Sequence, residues 1–281
     1  MIEHPTEETV ELLETYFSAI CPNESLRIWL KQWCAHLIQR PKVKILSSVI
    51  LGGREQGTGK STLGVLLSKA VGKGNTARIN SHTLGDQYND WLSRAVFGIS
   101  EELTTEGMGV ARTRRIKETV KDWITTRDIA IREMYKSTGS AQNTINGFLF
   151  TTNNIDAMPM DPEDRRFFVL EIELNMAIKK LIVGGLYTKL NHGLSGAQIA
   201  GYLNNVSLEG FSPDNFPPET EAKTTMINLS KDEGQDELSY ALNDPDNRLI
   251  TEHYAFKGLL RPPIVTGKLS GENPSRDTLF K

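Results

Sequence analysis

Cysteine is scarce: 281 residues contain two, Cys21 and Cys34, and nothing around them is spaced as a metal-ligand cluster. Reduced thiols are expected, and neither a disulfide scaffold nor a zinc module is. Apolar runs of membrane-spanning length are absent, and Met1-Ile2-Glu3-His4-Pro5 is not a basic-then-apolar signal, so a cytoplasmic location is expected. An excess of positive charge is also lacking. Lys and Arg number 32 against 35 Asp and Glu, a net charge of −3, so the whole chain is not a simple basic nucleic-acid binder. No repeat recurs along it. With 38% hydrophobic and 24% charged residues, most of the chain should fold. Its length allows one main domain with smaller appended regions.

The charge that is present is uneven. Arg112, Arg114, Arg115, Lys117, Lys121, Arg127, Arg132 and Lys136 face only Glu118, Asp122, Asp128 and Glu133 over the same stretch. This is either a positive surface or a solvated helix face. An Arg114–Glu118 pair at i,i+4 favours the second, and the like-charge pairs Lys117/Lys121 and Glu118/Asp122 oppose it.

Periodicity predicts helices over 6–20 and 24–39, the second capped by Asn23 and ended at Arg40-Pro41. Trp29 and Trp33 share one face of it, as core packing requires. Strands are predicted at 45–51, 76–80, 95–99, 148–151 and 166–172, and helices at 61–71 and 111–126. Ser81 is placed to cap a further helix carrying Leu84, Tyr88, Trp91 and Leu92. Ile129 and Ile131 against Thr144 and Ile145, around the turn-rich 136–140, predict a hairpin. Strands alternating with helices indicate an α/β fold with a mainly parallel sheet. The expected organisation is an N-terminal helical segment 1–41, a core 42–174, a mostly helical extension 175–242 and a tail or partial accessory module 243–281.

Between the strand at 45–51 and the helix at 61–71 lies Gln56-Gly57-Thr58-Gly59-Lys60-Ser61-Thr62, a phosphate loop. Its glycines let backbone N–H groups turn around a polyphosphate. Lys60 can reach the β- and γ-phosphates, and the Ser61 hydroxyl can ligate Mg²⁺. The pattern G-x-x-x-x-G-K-[ST] requires glycine where this chain has Arg54, leaving Gly52 and Gly53 to supply the flexible start. Glu101 and Glu102 follow the next buried strand, where a nucleotide hydrolase needs one acid on the metal side and one to polarise water. Glu101 is assigned to the metal and Glu102 to the base. Asn153, at the end of the strand 148–151, either senses the γ-phosphate and attacking water or forms an ordinary turn. Arg165 and Arg166 either stabilise charge on the transferring phosphoryl group or pair with Asp161, Glu163 or Asp164.

In this order, the segments 55–62, 98–102, 117–136, 150–154 and 164–167 resemble the superfamily-3 helicases of viruses, phages and plasmids, a branch of the AAA+ ATPases. The likeness is greatest to the helicase part of phage and plasmid primase-helicases. It implies an AAA+-type P-loop ATPase fold, with ATP and Mg²⁺ as cofactors. It further implies a homo-oligomeric ring, usually hexameric, with nucleotide between subunits and single-stranded DNA in the channel. Arg165 or Arg166 would then reach a neighbour's nucleotide, and Arg132, Tyr135 and Lys136 on the hairpin would contact DNA. The expected activity is ATP-driven DNA unwinding in replication of a phage, prophage or plasmid, with any primase or polymerase separate or in a missing part of a longer chain. Two other readings stand beside it: an ATP-switched DNA-binding or loading factor without processive unwinding, and a small-molecule kinase with 112–136 as a lid.

Overall fold

In a computed structural model, which describes residues 3–80, 83, 88–102, 110–132, 139–154, 158, 160–173, 175–183 and 185–230, the apolar runs assemble into one parallel sheet. Its strands are β1 (Ser48–Gly52), β2 (Thr76–Ile79), β3 (Phe97–Ser100), β6 (Gly147–Thr151) and β7 (Phe167–Glu171). Between β3 and β6 in the chain come β4 (Asp128–Ile131) and β5 (Gly139–Gln142), an antiparallel pair of their own. The sheet order is β2-β3-β6-β1-β7. All five residues of β1 and of β6 are buried, as strands covered on both faces require.

Alternation sends successive side chains to opposite layers. Val49, Leu51, Leu149, Phe168 and Leu170 join the core of α1 (Glu7–Ile20), α2 (Glu24–Gln39), α3 (Lys60–Val71) and a C-terminal helix, Gly196–Asn204. Ile50, Phe148, Phe150, Phe167 and Val169 face the opposite layer. That layer is built from α4 (Val110–Thr125), through Ile116, Val120, Trp123 and Ile124, and from the helix at 221–230, through Met226. The α/β class with a parallel sheet and helices is therefore observed, and the helices of segment 1–41 are part of its core. Asn23 caps α2 by accepting from the Leu26 N–H at 3.2 Å. Trp33 is fully buried and Trp29 stacks on Phe168 at 4.7 Å, so both tryptophans pack.

Several elements depart from expectation. The partner of β4 is Gly139–Gln142 and not the segment of Thr144 and Ile145. Thr144 instead donates from its backbone N–H to Leu92 O and from its hydroxyl to Ala95 O, which draws it toward the sheet. Asp90–Ser93 is a single 3₁₀ turn where a helix through Trp91 and Leu92 was expected, and 81, 82 and 84–87 lie outside the described residues. At the start of the extension 175–242, expected to be mostly helical, the helix is broken. Met176–Val183 (α5) is followed by Gly185 at φ 69, and then by Leu186–Thr188 (α6) and a π turn, Lys189–Gly193. A left-handed glycine is a regular helix stop. The helix Gly196–Asn204 is α7 and the one at 221–230 is α8. The expected tail 243–281 lies outside the described residues.

Candidate phosphate-binding site

In this order the sheet reverses direction beside β1: the chain leaves β1 for the far edge at β2, returns through β3 and β6, then crosses to β7 on the other side. Open parallel sheets bind ligands at the C-terminal strand ends beside such a point. The glycine-rich loop lies there, between the end of β1 and the start of α3.

Three glycines shape it, with φ of 149 at Gly53, 76 at Gly57 and 91 at Gly59. A Cβ on Gly53 would lie 2.4 Å from the Ile172 carbonyl oxygen, and one on Gly59 would lie 2.6 Å from the Tyr187 hydroxyl. Arg54 is exposed and lies outside the positive-φ region, so Gly53 supplies the conformation that the pattern places one residue later. Gly59 is the N-cap of α3 and has no side chain to close the helix, so the first N–H groups of α3 are left for a ligand. Lys60 is 7% exposed, and its ammonium donates to the Gly53 and Glu55 carbonyls at 2.6 and 2.8 Å. Burial holds its pKa below the ordinary lysine value, with Glu55 opposing the shift.

Gln56, Gly57, Thr58, Gly59, Lys60, Ser61 and Thr62 line one side of a cavity of about 790 Å³, a size that takes a whole nucleotide. Arg78 and Asn80 beyond β2, Glu101 and Glu102 beyond β3, and Thr151, Thr152 and Asn153 at the end of β6 complete it, with Tyr187 and Asn191 from the C-terminal extension. The fold thus brings the phosphate loop, both acids and Asn153 to one cavity. Ser61 is exposed on it, as a metal-ligating hydroxyl must be. Glu101, assigned to the metal, accepts a hydrogen bond from Arg78 at 2.8 Å. The side chains are 61% and 44% exposed, so this pair contributes at most about 1 kcal/mol and can yield to a cation. Glu102 sits at φ 62, the sole described non-glycine residue in the left-handed region. Backbone strain of this kind gathers at functional positions and costs on the order of 1–3 kcal/mol. At the end of β6 the Thr152 hydroxyl donates to Asn154 O and accepts from its N–H, so the turn and the cavity wall at Asn153 are the same feature.

Arg165 and Arg166 are elsewhere. They precede β7, which runs parallel to β1 with Ser48 opposite Phe167 and Gly52 opposite Glu171. Five residues of strand, roughly 15 Å, separate them from the loop end of the sheet. Arg165 stacks its guanidinium 4.6 Å from the Phe216 ring centroid, and Arg166 lies 3.9 Å from Asp164. Two cations of α4 belong to the same network. Lys117 pairs with Asp161 at 2.8 Å, and Lys121 with Asp164 at 3.0 Å and with Glu118 at 3.4 Å. Desolvation pulls the Lys121 ammonium down, but Asp164 and Asp161 outweigh it and raise the pKa. Glu118 therefore pairs with Lys121 and not with Arg114, and among the described residues the basic surface narrows to Arg112, Arg114, Arg115, Arg127 and Arg132, all exposed. Arg132 directly follows β4, its N–H donating to the Asn89 side chain at 2.8 Å. Tyr135 and Lys136 lie outside the described residues.

Sequence reading missed Arg78, Tyr187 and Asn191 in the cavity wall and Tyr16 beneath the loop. The one available signal was the place of Arg78 in β2, exposed between buried Ala77 and Ile79.

No curated protein matches the chain. Residues 51–166 match a family described as "Family of unknown function (DUF5906)". Among solved structures, the C-terminal region of NrS-1, residues 305–718, aligns with a TM-score of 0.67 at 18% identity, covering 93% of this chain and 61% of that one. A second structure of that region, its A form, gives 0.66 at 20% identity over 93% and 62%. The chain thus spans about three fifths of the length of these structures, and it shares their fold.

Proposed function

We propose that this chain is an ATP-dependent DNA helicase of the superfamily-3 type within the AAA+ class. In this reading it works as a ring, expected to be hexameric, on single-stranded DNA during replication of a phage, prophage or plasmid. The observation that carries the reading is the single cavity that joins the uncapped start of α3 and its glycine loop to Glu101, Glu102 and Asn153. Lys60 and the first N–H groups of α3 would hold the β- and γ-phosphates, and Lys60 would exchange its loop carbonyls for phosphate oxygens. Ser61 and Glu101 would hold Mg²⁺, which supplies charge neutralisation on the phosphates. Glu102 would accept the proton of the attacking water, and Asn153 would orient that water. Arg165 and Arg166 stand at the far end of their own sheet, so any contact with nucleotide would be with a neighbour's. DNA contact is assigned to the β4–β5 hairpin through Arg132, Tyr135 and Lys136, as a sequence-independent contact made by charge and stacking. A primase or polymerase would be a separate polypeptide or another part of a longer one.

The test is hydrolysis of ATP with and without single-stranded DNA, together with strand displacement on a forked duplex. DNA-stimulated hydrolysis and displacement are expected. DNA-stimulated hydrolysis without displacement would favour a loading factor, and turnover that ignores DNA in a monomer would favour the small-molecule kinase.

A further inference from the structure

A phosphate cradle works only if the peptide N–H groups of the loop face the ligand, which requires the carbonyls of the same peptides to face away. In a trans peptide the C=O and N–H point in opposite directions, and no described peptide is cis. Fixing the Thr58 oxygen therefore aims the Gly59 N–H, and fixing the Gly59 oxygen aims the Lys60 N–H. Both oxygens are fixed from outside the loop. The Tyr187 hydroxyl, on α6, donates to Thr58 O at 3.2 Å, and the Tyr16 hydroxyl, on α1, donates to Gly59 O at 2.9 Å. Gly59 O accepts a second bond from the Thr62 N–H at 3.0 Å, which uses both its lone pairs. The two rings meet edge to face with centroids 6.4 Å apart, so each braces the other. Tyr16 is fully buried, and the Tyr187 ring occupies the space that a Cβ at Gly59 would need.

We propose that Tyr16 and Tyr187 are positioning residues for the phosphate loop, orienting the Gly59 and Lys60 N–H groups toward a bound nucleoside triphosphate. This rests on the nucleotide reading above and adds to it a dependence of phosphate binding on two segments, the N-terminal helix and the C-terminal extension. Burial keeps both hydroxyls protonated and able to donate: it raises Tyr16 well above its ordinary value and pushes Tyr187 up to about 12.

Tyr16→Phe and Tyr187→Phe keep the rings and remove only the donors. Each is expected to raise the Kd and KM for ATP about fivefold with kcat changed less than about twofold, the consequence of losing one net hydrogen bond. Because the two oxygens belong to adjacent peptides, the effects in the double variant should not simply multiply. Tyr202→Phe removes a buried hydroxyl that is bound to Glu14 at 2.8 Å and not to a loop carbonyl, and should leave KM unchanged. A purely structural role would lower the melting temperature of the Tyr16 and Tyr187 variants without moving KM, and that result would overturn the proposal. Failure of the unaltered protein to bind ATP would instead remove the nucleotide reading, and this inference with it.

Discussion

Gly53 and Arg54 divide what one glycine would otherwise do. Gly53 takes the backbone conformation closed to other residues, with Ile172 O where a side chain would begin, while Arg54 stands exposed. Gly53→Ala is therefore expected to cost about 2 kcal/mol or more, whereas Arg54→Gly should change stability by less than about 1 kcal/mol and leave ATP affinity unaltered. Denaturant titration and nucleotide binding check both. Lys60→Ala should abolish ATP hydrolysis while the protein stays folded, measured as phosphate release beside a circular dichroism spectrum. The loop was legible because its residues lie within seven positions of one another. Tyr16 and Tyr187 were not, because each meets the loop from far along the chain, 43 and 129 positions away, and in sequence they read as ordinary core aromatics.

For whole elements, apolar periodicity predicted α2 and α4 closely, because each is set by the face it buries, and continuous apolar runs marked the sheet strands, β1 and β6 being buried on both faces. The hairpin was recognised but given the wrong second strand. The residues that pair with β4 are small and polar, Gly139–Gln142, and carry no strand signal of their own. What holds the hairpin is also invisible in sequence. The Asn89 side chain donates to Ala130 O at 2.9 Å and accepts from the Arg132 N–H at 2.8 Å, tying β4 to the 3₁₀ turn beside it. Asn89→Ala is expected to loosen this attachment, reducing strand displacement by several-fold while basal ATP hydrolysis is retained. Lys136→Ala should likewise keep basal hydrolysis and lose unwinding. Equal loss of both activities in the Lys136 variant would remove the hairpin from the DNA path.

At the scale of the whole molecule, the described core buries an imidazole, that of His36. His36 is 1% exposed, and its ring lies 5.6 Å from Phe211. Desolvation and the nearby Arg40 depress its pKa to about 4, with Asn146 and Asp214 offsetting only part of the shift. The unfolded chain then binds this proton near pH 6.5 and the folded chain only near 4, so stability falls as pH drops between those values. The loss approaches about 3 kcal/mol at pH 4. Urea titrations at pH 7, 5.5 and 4 should show a steeper loss for the unaltered protein than for His36→Leu; parallel curves would contradict this. In the proposed function, a nucleotide bound in the cavity at one end of the sheet would drive movement of DNA past the hairpin. Strand displacement from a forked duplex measures it directly. ATP-dependent displacement that disappears in Lys60→Ala is expected, and displacement that is absent, or that persists without ATP, would contradict the account.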